Sequence, residues 1–419
     1  MLGLLRNRDF GLLWIAGLIS FTGNSALIFA LPLHIYRETG STLATAGVLA
    51  ANLLPRFLFS SVAGVFVDQW DRKRTMVVTD LARAALLLPM LLAPNELALL
   101  YAVAAVQGTV GLFFLPAEGA LLPKLVGKEH LVSANALNAL NNNFGMLIGP
   151  AMGTMLYAQV GIGGTILANS ATFLVAALLV SMIAANTRPD RDAGELGGAV
   201  WTRVLAEWRA GLAVVRGNTA LRVLFGASVT NALADGVFVT LGLSPLVLDV
   251  LGGTASQVGW MGTAQAVGGL TAGLIVVRIG HRMSRRLLLG GGMAGIGLAD
   301  LAAANARLVA SAGTPAVGVA MGCMALAGLP SIASGTGRQS IIQEQASDAY
   351  RGRVFGALGS VNGIAMMAGF AAGGILGDML GLVLVLSVAA SLRVVGGLAA
   401  FVLMPRSEPA PQAEPALTA

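Results

Sequence analysis

The sequence has 419 residues, of which 56% are hydrophobic and 11% are charged, and it contains 55 glycines. This composition is too apolar and too glycine-rich for one water-soluble core, so it predicts a polytopic membrane protein. The single cysteine, Cys323, excludes a disulfide within one chain, and three scattered histidines lack the spacing of metal ligands. The net charge of +6 comes from short basic loops, which indicates membrane topology and argues against nucleic-acid binding.

Twelve apolar stretches are long enough to cross a bilayer, because a helical span needs about 20 residues. Their predicted limits are about 10–36, 41–67, 75–93, 97–119, 132–157, 164–186, 219–248, 254–277, 287–305, 315–337, 352–377 and 381–403. All but five of the 26 lysines and arginines lie on one side of this map. This asymmetry predicts that both termini are cytoplasmic.

The spans predict an all-α membrane protein with twelve transmembrane helices in two pseudo-symmetric six-helix bundles. Four segments follow: an N-terminal bundle at 1–186, a cytoplasmic linker at 187–218, a C-terminal bundle at 219–404 and a disordered cytoplasmic tail at 405–419. The linker contains an amphipathic helix, which fits equally the inner membrane surface and a position packed on the bundle. The landmarks that repeat between the bundles are Gly23 with Gly236, Pro32 with Pro245, Gly149 with Gly369, Gly153 with Gly373, and Gly161 with Gly381.

A charged loop follows the second span. Gly64 ends an apolar run, Asp68 follows at the membrane edge, and a basic cluster begins the third span. The spacing Gly-x3-Asp-x3-Arg-Lys-Arg resembles the signature loop of the major facilitator superfamily, a family of secondary transporters. The resemblance implies a major facilitator fold and a gate latch formed by Gly64, Asp68, Arg72, Lys73, Arg74 and Glu118. The alternatives are simple anchoring of span three by its basic residues and surface solvation of Glu118.

The fifth span carries a glycine and proline motif. Its residues are Gly145, Gly149, Pro150 and Gly153. This motif resembles the one associated with family members that export as antiporters, although close helix packing alone could account for the glycines. Phe114-Leu-Pro-Ala, Leu122-Pro123, Asn135 and Arg351-Gly-Arg-Val-Phe are similar to the macrolide-efflux and enterobactin-exporter branch, the type 3 drug:proton antiporters.

Charged residues inside spans are expensive in lipid and are functional candidates. Asp235 lies about 20 Å along the seventh span and has no basic residue within one helical turn, so we expect it to carry a proton. A structural carboxyl group bound to Asn231 is the alternative. Arg56 is expected to bind an anionic substrate group or to pair with a distant acid. Asp80 and Arg83 are expected to neutralise each other, and Asp300 is expected to be wetted near the outer end of its span.

Polar and aromatic residues inside the spans are candidates for a substrate cavity. The predicted substrate-binding residues are Phe21, Asn24, Gln107, Asn138, Asn142 and Asn231. Many proton-coupled drug exporters have an arginine three residues before the Gln-Gly pair of span four, but this chain has Ala104 there. A coupling mechanism based on that arginine therefore cannot be carried over.

These features predict a transporter rather than an enzyme. We expect a monomer that exports lipophilic or amphipathic small molecules by proton-coupled alternating access, with protons and the lipid bilayer as its other partners. No cofactor is expected, since no phosphate-binding Gly-x4-Gly-Lys-Ser/Thr motif occurs. The alternatives are a lipid flippase or a nutrient importer of the same fold and, from another class, a membrane sensor or assembly factor.

Overall fold

The computed structural model describes residues 2–67, 69–185, 200–310 and 315–406. These ranges form helices joined by short connections and contain no strand, which confirms the all-α fold class. The helices are α1 (Arg8–Thr39), α2 (Thr42–Val67), α3 (Arg72–Leu87), α4 (Leu97–Gly111), α5 (Phe114–Val126), α6 (Leu131–Ser181), α7 (Val200–Gly217), α8 (Thr219–Leu241), α9 (Ala255–Ile279), α10 (Gly292–Ala304), α11 (Ala306–Val309), α12 (Ala316–Gln345), α13 (Asp348–Leu380) and α14 (Leu382–Leu403). Asp68, most of the predicted linker before α7 and the tail from residue 407 lie outside the described residues.

Ten helical segments of the described chain are long and apolar enough to cross a membrane. One of them, α6, has 51 residues and is broken at Gly161, whose positive φ of 68° separates two helical arms. Helix α3 is not among the ten, since it has 16 residues and carries a basic first turn together with Asp80 and Arg83. Counting both arms of α6 and adding α3, we infer the twelve crossings that the sequence predicts.

Polar side chains begin several spans at one end of the bundle. The side-chain oxygens of Asn7, Asp71 and Asn218 accept backbone N–H groups in the first turns of α1, α3 and α8. These caps satisfy donors that the first turn of a helix leaves without an intrahelical partner. We call this end, which also holds the last residue of α14, the termini end. The opposite end, where α1 leads into α2, is the far end.

The helices form two halves, α1–α6 and α8–α14. Helix α1 packs along α6, and α8 packs along α13 and α14, while the halves meet where α2 contacts α13 and α6 contacts α9. Two pairs of turns recur at matched positions. Gly40 and Gly252 have φ values of 63° and 69°, and Gly161 and Gly381 have values of 68° and 91°. These turns support the predicted repeat, because a positive φ favours glycine at all four positions.

The amphipathic helix α7 connects the halves. Val215 is buried, and Trp208 and Leu212 pack against the same apolar cluster, which includes residues of α8 and α13. An ideal Cβ on Gly211 would lie 2.5 Å from the carbonyl oxygen of Arg353, so the backbones of α7 and α13 almost touch. Of the two alternatives for this helix, the described side chains favour packing on the bundle.

Candidate functional site

A polar cluster surrounds Arg83 in the first half. The guanidinium group donates to Oδ1 of Asn24 at 2.5 Å and to Oε1 of Gln107 at 3.3 Å, and Nε2 of Gln107 donates to the Arg83 carbonyl at 2.7 Å. The Cζ atom of Arg83 also lies 4.1 Å from the centre of the Phe173 ring, a cation–π distance. Arg83 therefore links α1, α3, α4 and α6 through neutral ligands.

Asp80 and Arg83, which are predicted to neutralise each other, interact through their charges but make no direct contact in the described part of the chain. Asp80 is 0% exposed, and neither of its carboxylate oxygens makes a hydrogen bond to a residue that the structure describes. The guanidinium group of Arg83 donates instead to the amide oxygens of Asn24 on α1 and Gln107 on α4. Spacing of three residues on one helix permits a pair but does not require it when neighbouring helices offer closer ligands.

A charged triad lies in the second half. Arg393 of α14 is 2% exposed, and its Nη1 atom donates to Oδ2 of Asp300 on α10 at 2.5 Å. Its Nη2 atom donates to Oδ1 of Asp235 on α8. Nδ2 of Asn231 donates to the other oxygen of Asp235 at 2.8 Å. One buried cation therefore holds two carboxylates from two other helices.

The triad corrects two sequence predictions. Asp235 does have a close basic partner, and Asp300 is buried in an ion pair rather than wetted. Arg56 is predicted to bind an anionic substrate group or to pair with a distant acid such as Asp235, but the partner of Asp235 is Arg393, 158 residues later. The sequence does contain a signal for this pairing, because an arginine inside a membrane span needs an acidic residue or another partner. Arg393 lies about midway along its predicted span, 381–403.

A largely apolar cavity of about 200 Å³ lies between the two halves. Three candidate residues contribute to its wall: Asn24, Gln107 and Arg56. The other polar wall residues are Asn52 and Asn169. The second half contributes Val239 of α8 and both Met366 and Phe370 of α13. Val239 is one helical turn from Asp235, so the triad lies beside the cavity.

The remaining candidate binding residues lie elsewhere. Phe21 packs edge-on against Phe114, with ring centres 6.2 Å apart, and Asn142 is exposed. Asn138 donates from Nδ2 to Glu118 at 3.2 Å, and Asn231 holds Asp235. None of these four belongs to the wall of the described cavity. The position of this cavity therefore does not support a role for these four residues in substrate binding, and that role stays a prediction.

Side chains join the two halves at the far end. The hydroxyl group of Tyr36 donates to Asp249, which follows α8. The carboxylate of Asp378, near the end of α13, accepts from the backbone N–H of Thr42 at 3.2 Å and from its hydroxyl at 2.8 Å. Ser41 donates to the same carboxylate at 3.3 Å. Asp378 thus acts as a capping carboxylate for α2, supplied by the other half.

Comparison with known proteins identifies the family. The sequence profile described as Major Facilitator Superfamily matches residues 13–246 and 224–419. The chain belongs to the Major Facilitator Superfamily. Macrolide efflux protein A of Streptococcus pyogenes is 25% identical over 381 residues, which are 89% of this chain and 90% of that protein. Multidrug efflux pump Tap of Mycolicibacterium fortuitum is 33% identical over 113 residues, 25% of this chain and 27% of Tap. These relatives confirm the predicted resemblance to the macrolide-efflux branch.

Solved structures of other transporters share the fold. The nucleoside transporter NupG superposes with a TM-score of 0.75 at 14% identity, covering 95% of this chain and 100% of NupG. A bacterial homologue of the iron transporter ferroportin, in an inward-facing state, superposes with a TM-score of 0.71 at 16% identity. That alignment covers 95% of this chain and 99% of the homologue. The protein is therefore a multi-pass bacterial membrane transporter of the major facilitator fold.

The signature loop of this major facilitator is only partly described. Asp68 lies outside the described residues, so the latch that the resemblance implies stays a prediction. Asp71 accepts the backbone N–H of Arg74 at 2.9 Å, and Nζ of Lys73 donates to the carbonyl of Ile183, just after α6, at 2.6 Å. These contacts also support the anchoring role of the basic cluster, because a cation is favourable at a helix C-terminus.

Of the two alternatives for Glu118, a place in the gate latch and surface solvation, the structure contradicts surface solvation. Glu118 is 6% exposed, and the hydrogen bond that the structure gives it comes from Asn138. Arg74, by contrast, is exposed at the start of α3. Glu118 therefore belongs to the buried interface between α5 and α6, and its place in a charge relay with the loop stays a prediction.

The glycine and proline motif of span five packs two helices of this major facilitator closely. An ideal Cβ on Gly149 would lie 2.5 Å from Cβ of Ser25, and one on Gly153 would lie 2.2 Å from the Ala26 carbonyl oxygen. Gly145 faces Phe21 at 3.3 Å. On its other side, Pro150 approaches α9 of the second half, where a Cβ on Gly259 would lie 2.2 Å from the Pro150 carbonyl oxygen. The motif thus lies at the contact between α6 and α9, which joins the two halves.

Proposed function

We propose that this transporter exports lipophilic or amphipathic small molecules by proton-coupled alternating access. The efflux relatives support the direction, since macrolide efflux protein A aligns with 89% of the chain. We also propose that it works as a monomer in the bacterial inner membrane with cytoplasmic termini, as the lysine and arginine distribution predicts.

Two closely packed halves with a cavity between them support alternating access. Tyr36 with Asp249, and Asp378 with the start of α2, join the halves at the far end. Access from the far end requires these hydrogen bonds to break while contacts at the termini end form. Solvent can replace the hydrogen bonds at modest cost, since a typical one contributes about 0.5–1.5 kcal/mol net. The apolar cluster that contains residues of both halves must also separate.

The triad is the observation that carries the proposal of proton coupling. The Asp235 side chain is 45% exposed, whereas that of Asp300 is 4% exposed, although both bind Arg393. A proton that reaches Asp235 releases it from Arg393, and Arg393 remains neutralised by Asp300. The buried cation is therefore compensated in both protonation states, which keeps the cost of exchanging the proton low. Because Asp235 lies beside Val239 of the cavity wall, its proton and a bound substrate can influence each other.

Proton flux in vesicles tests this proposal. The purified protein is reconstituted with a pH-sensitive dye inside, and amphipathic compounds, a macrolide among them, are added to inside-out and right-side-out preparations. We expect compound-dependent proton movement that is lost in Asp235→Asn, while binding of the same compound to the variant in detergent is retained. Asp348→Asn is the matched control, because its side chain is 89% exposed and far along the chain from the triad.

Two results would count against the proposal. Equal flux in wild type and Asp235→Asn would remove Asp235 as the proton carrier. Accumulation of the compound in the direction of import would contradict export and favour the importer of the same fold.

A further inference from the structure

The cavity has an unbalanced charge. Among the described residues of its wall, Arg56 of α2 is the charged one, and no acidic side chain accompanies it. Arg56 is exposed toward the cavity and makes no hydrogen bond or ion pair with any residue in the described part of the chain. A guanidinium group without a partner is costly inside a membrane protein, so a complementary ligand would be strongly favoured.

Arg83, outside the cavity wall, orients the amide of Asn24. A guanidinium group can only donate hydrogen bonds, so the atom of Asn24 at 2.5 Å must be its oxygen. The amide nitrogen of Asn24 therefore remains as the donor at the cavity wall. Both atoms of Gln107 are bound to Arg83, by Oε1 to the guanidinium group and by Nε2 to the carbonyl. Arg83 thus occupies acceptors that could otherwise bind a cationic ligand.

Asn169 supplies an independent observation. This residue of the cavity wall is 97% buried, being 3% exposed, and its oxygen accepts from the hydroxyl of Thr172 at 3.2 Å. Its Nδ2 atom is buried and has no hydrogen-bond partner among the residues described. A buried donor left without an acceptor costs about 1–3 kcal/mol in typical proteins, unless a ligand or water satisfies it.

Apart from Asn52, whose Nδ2 atom donates to the Ala104 carbonyl, the rest of the wall is apolar. It includes Leu27, Leu31, Leu53, Met90, Val103 and Phe370. A ligand that fits this wall buries a hydrophobic body against the leucines and places an acceptor-rich group at Arg56, Asn24 and Asn169. Carboxylates and phosphates match these donors, because ionised acceptors form the shortest and strongest hydrogen bonds with guanidinium and amide groups.

We propose that the cavity selects an amphipathic anion, with the anionic group bound by Arg56 and by the amide nitrogens of Asn24 and Asn169. This inference names a substrate class for the transport function proposed above and rests on that function.

Three ligands with one ring system test the inference. They are 1-naphthaleneacetate, its neutral amide and 2-(1-naphthyl)ethylamine, which differ in the charge of the group attached to naphthalene. Dissociation constants are measured for the full-length protein in uncharged detergent. We expect the carboxylate to bind about tenfold or more tightly than the amide, a difference equivalent to about 1.4 kcal/mol, and the amine to bind weakest.

Substitutions at Arg56 locate the effect. Arg56→Gln should remove the preference for the carboxylate and leave binding of the amide within about twofold, whereas Arg56→Lys should retain part of the preference, since it keeps the charge but loses the planar fork. Arg307→Gln is the control, because Arg307 is an exposed arginine of α11. If Arg56→Gln cannot be purified, Arg56→Lys and the wild-type ranking still test the inference.

Several results would overturn it. These are equal binding of carboxylate and amide to the wild type, tighter binding of the amine, a carboxylate preference that persists in Arg56→Gln, and no binding of any of the three compounds. Because binding is measured without a membrane gradient, it is independent of the flux assay. Anion-selective binding without compound-dependent flux would contradict proton-coupled export alone, and flux without anion preference would contradict this inference alone.

Discussion

The two halves each bury an arginine within the membrane, but they compensate it differently. In the first half, Arg83 is bound by amide oxygens of Asn24 and Gln107 and by the Phe173 ring. In the second half, Arg393 is bound by the carboxylates of Asp235 and Asp300. Phe173 and Arg393 occupy corresponding positions, since each follows its positive-φ glycine, Gly161 or Gly381, by twelve residues.

The different ligands of Arg83 and Arg393 suit the two halves to different roles in transport. Amide oxygens bind Arg83 directly, whereas Asp80 of the same helix acts on it only through space, so Arg56 is the cation that the first half presents at the cavity wall. Two carboxylates on one arginine form a site with one more negative charge than positive, in which a proton can replace a contact. The first half is therefore suited to holding an anion, and the second half is suited to exchanging a proton.

The largest effect is expected from removing the cation of the triad. Arg393→Met should lower the free energy of unfolding by about 3–5 kcal/mol, because two carboxylates from α8 and α10 lose their shared buried partner. Unfolding of the purified variant in mixed micelles, followed by tryptophan fluorescence during titration with dodecyl sulfate, measures this change. Arg307→Met is the control for loss of an arginine at an exposed site. A variant as stable as wild type would show that the carboxylates have other partners.

A smaller loss is expected at the corresponding arginine of the first half. Arg83→Met should lower the free energy of unfolding by about 1–3 kcal/mol, because the buried oxygen of Gln107 loses its hydrogen-bond donor. The loss is smaller than for Arg393→Met because no direct ion pair is broken. The same titration measures it. If Arg83→Met costs as much as Arg393→Met, the contrast between neutral and charged ligands does not hold. Binding of 1-naphthaleneacetate should also weaken in this variant, as the positive field of the cavity falls.

The sequence predicts the fold more completely than the site. Apolar stretches of about 20 residues and the glycine landmarks are local signals, so the spans, the family and the α1–α6 packing at Gly149 and Gly153 follow from them. The partner of Asp235 does not, because Arg393 approaches it only after α8 and α14 have packed together. The Asp378 cap on α2 also cannot be predicted from the sequence, because it joins residues of the two halves that are 336 positions apart.

Asp80 provides the smallest expected effect and the sharpest contrast with Asp300. Asp80→Asn should change the free energy of unfolding by about 1 kcal/mol or less, because neither carboxylate oxygen has a hydrogen bond in the described structure to lose. Asp300→Asn should cost about 2–3 kcal/mol in the same titration, because it breaks a buried ion pair with Arg393. Equal losses in the two variants would mean that Asp80 is paired in the membrane. In that case Arg83 would be compensated by a carboxylate, as Arg393 is, and the contrast between the two halves would not hold.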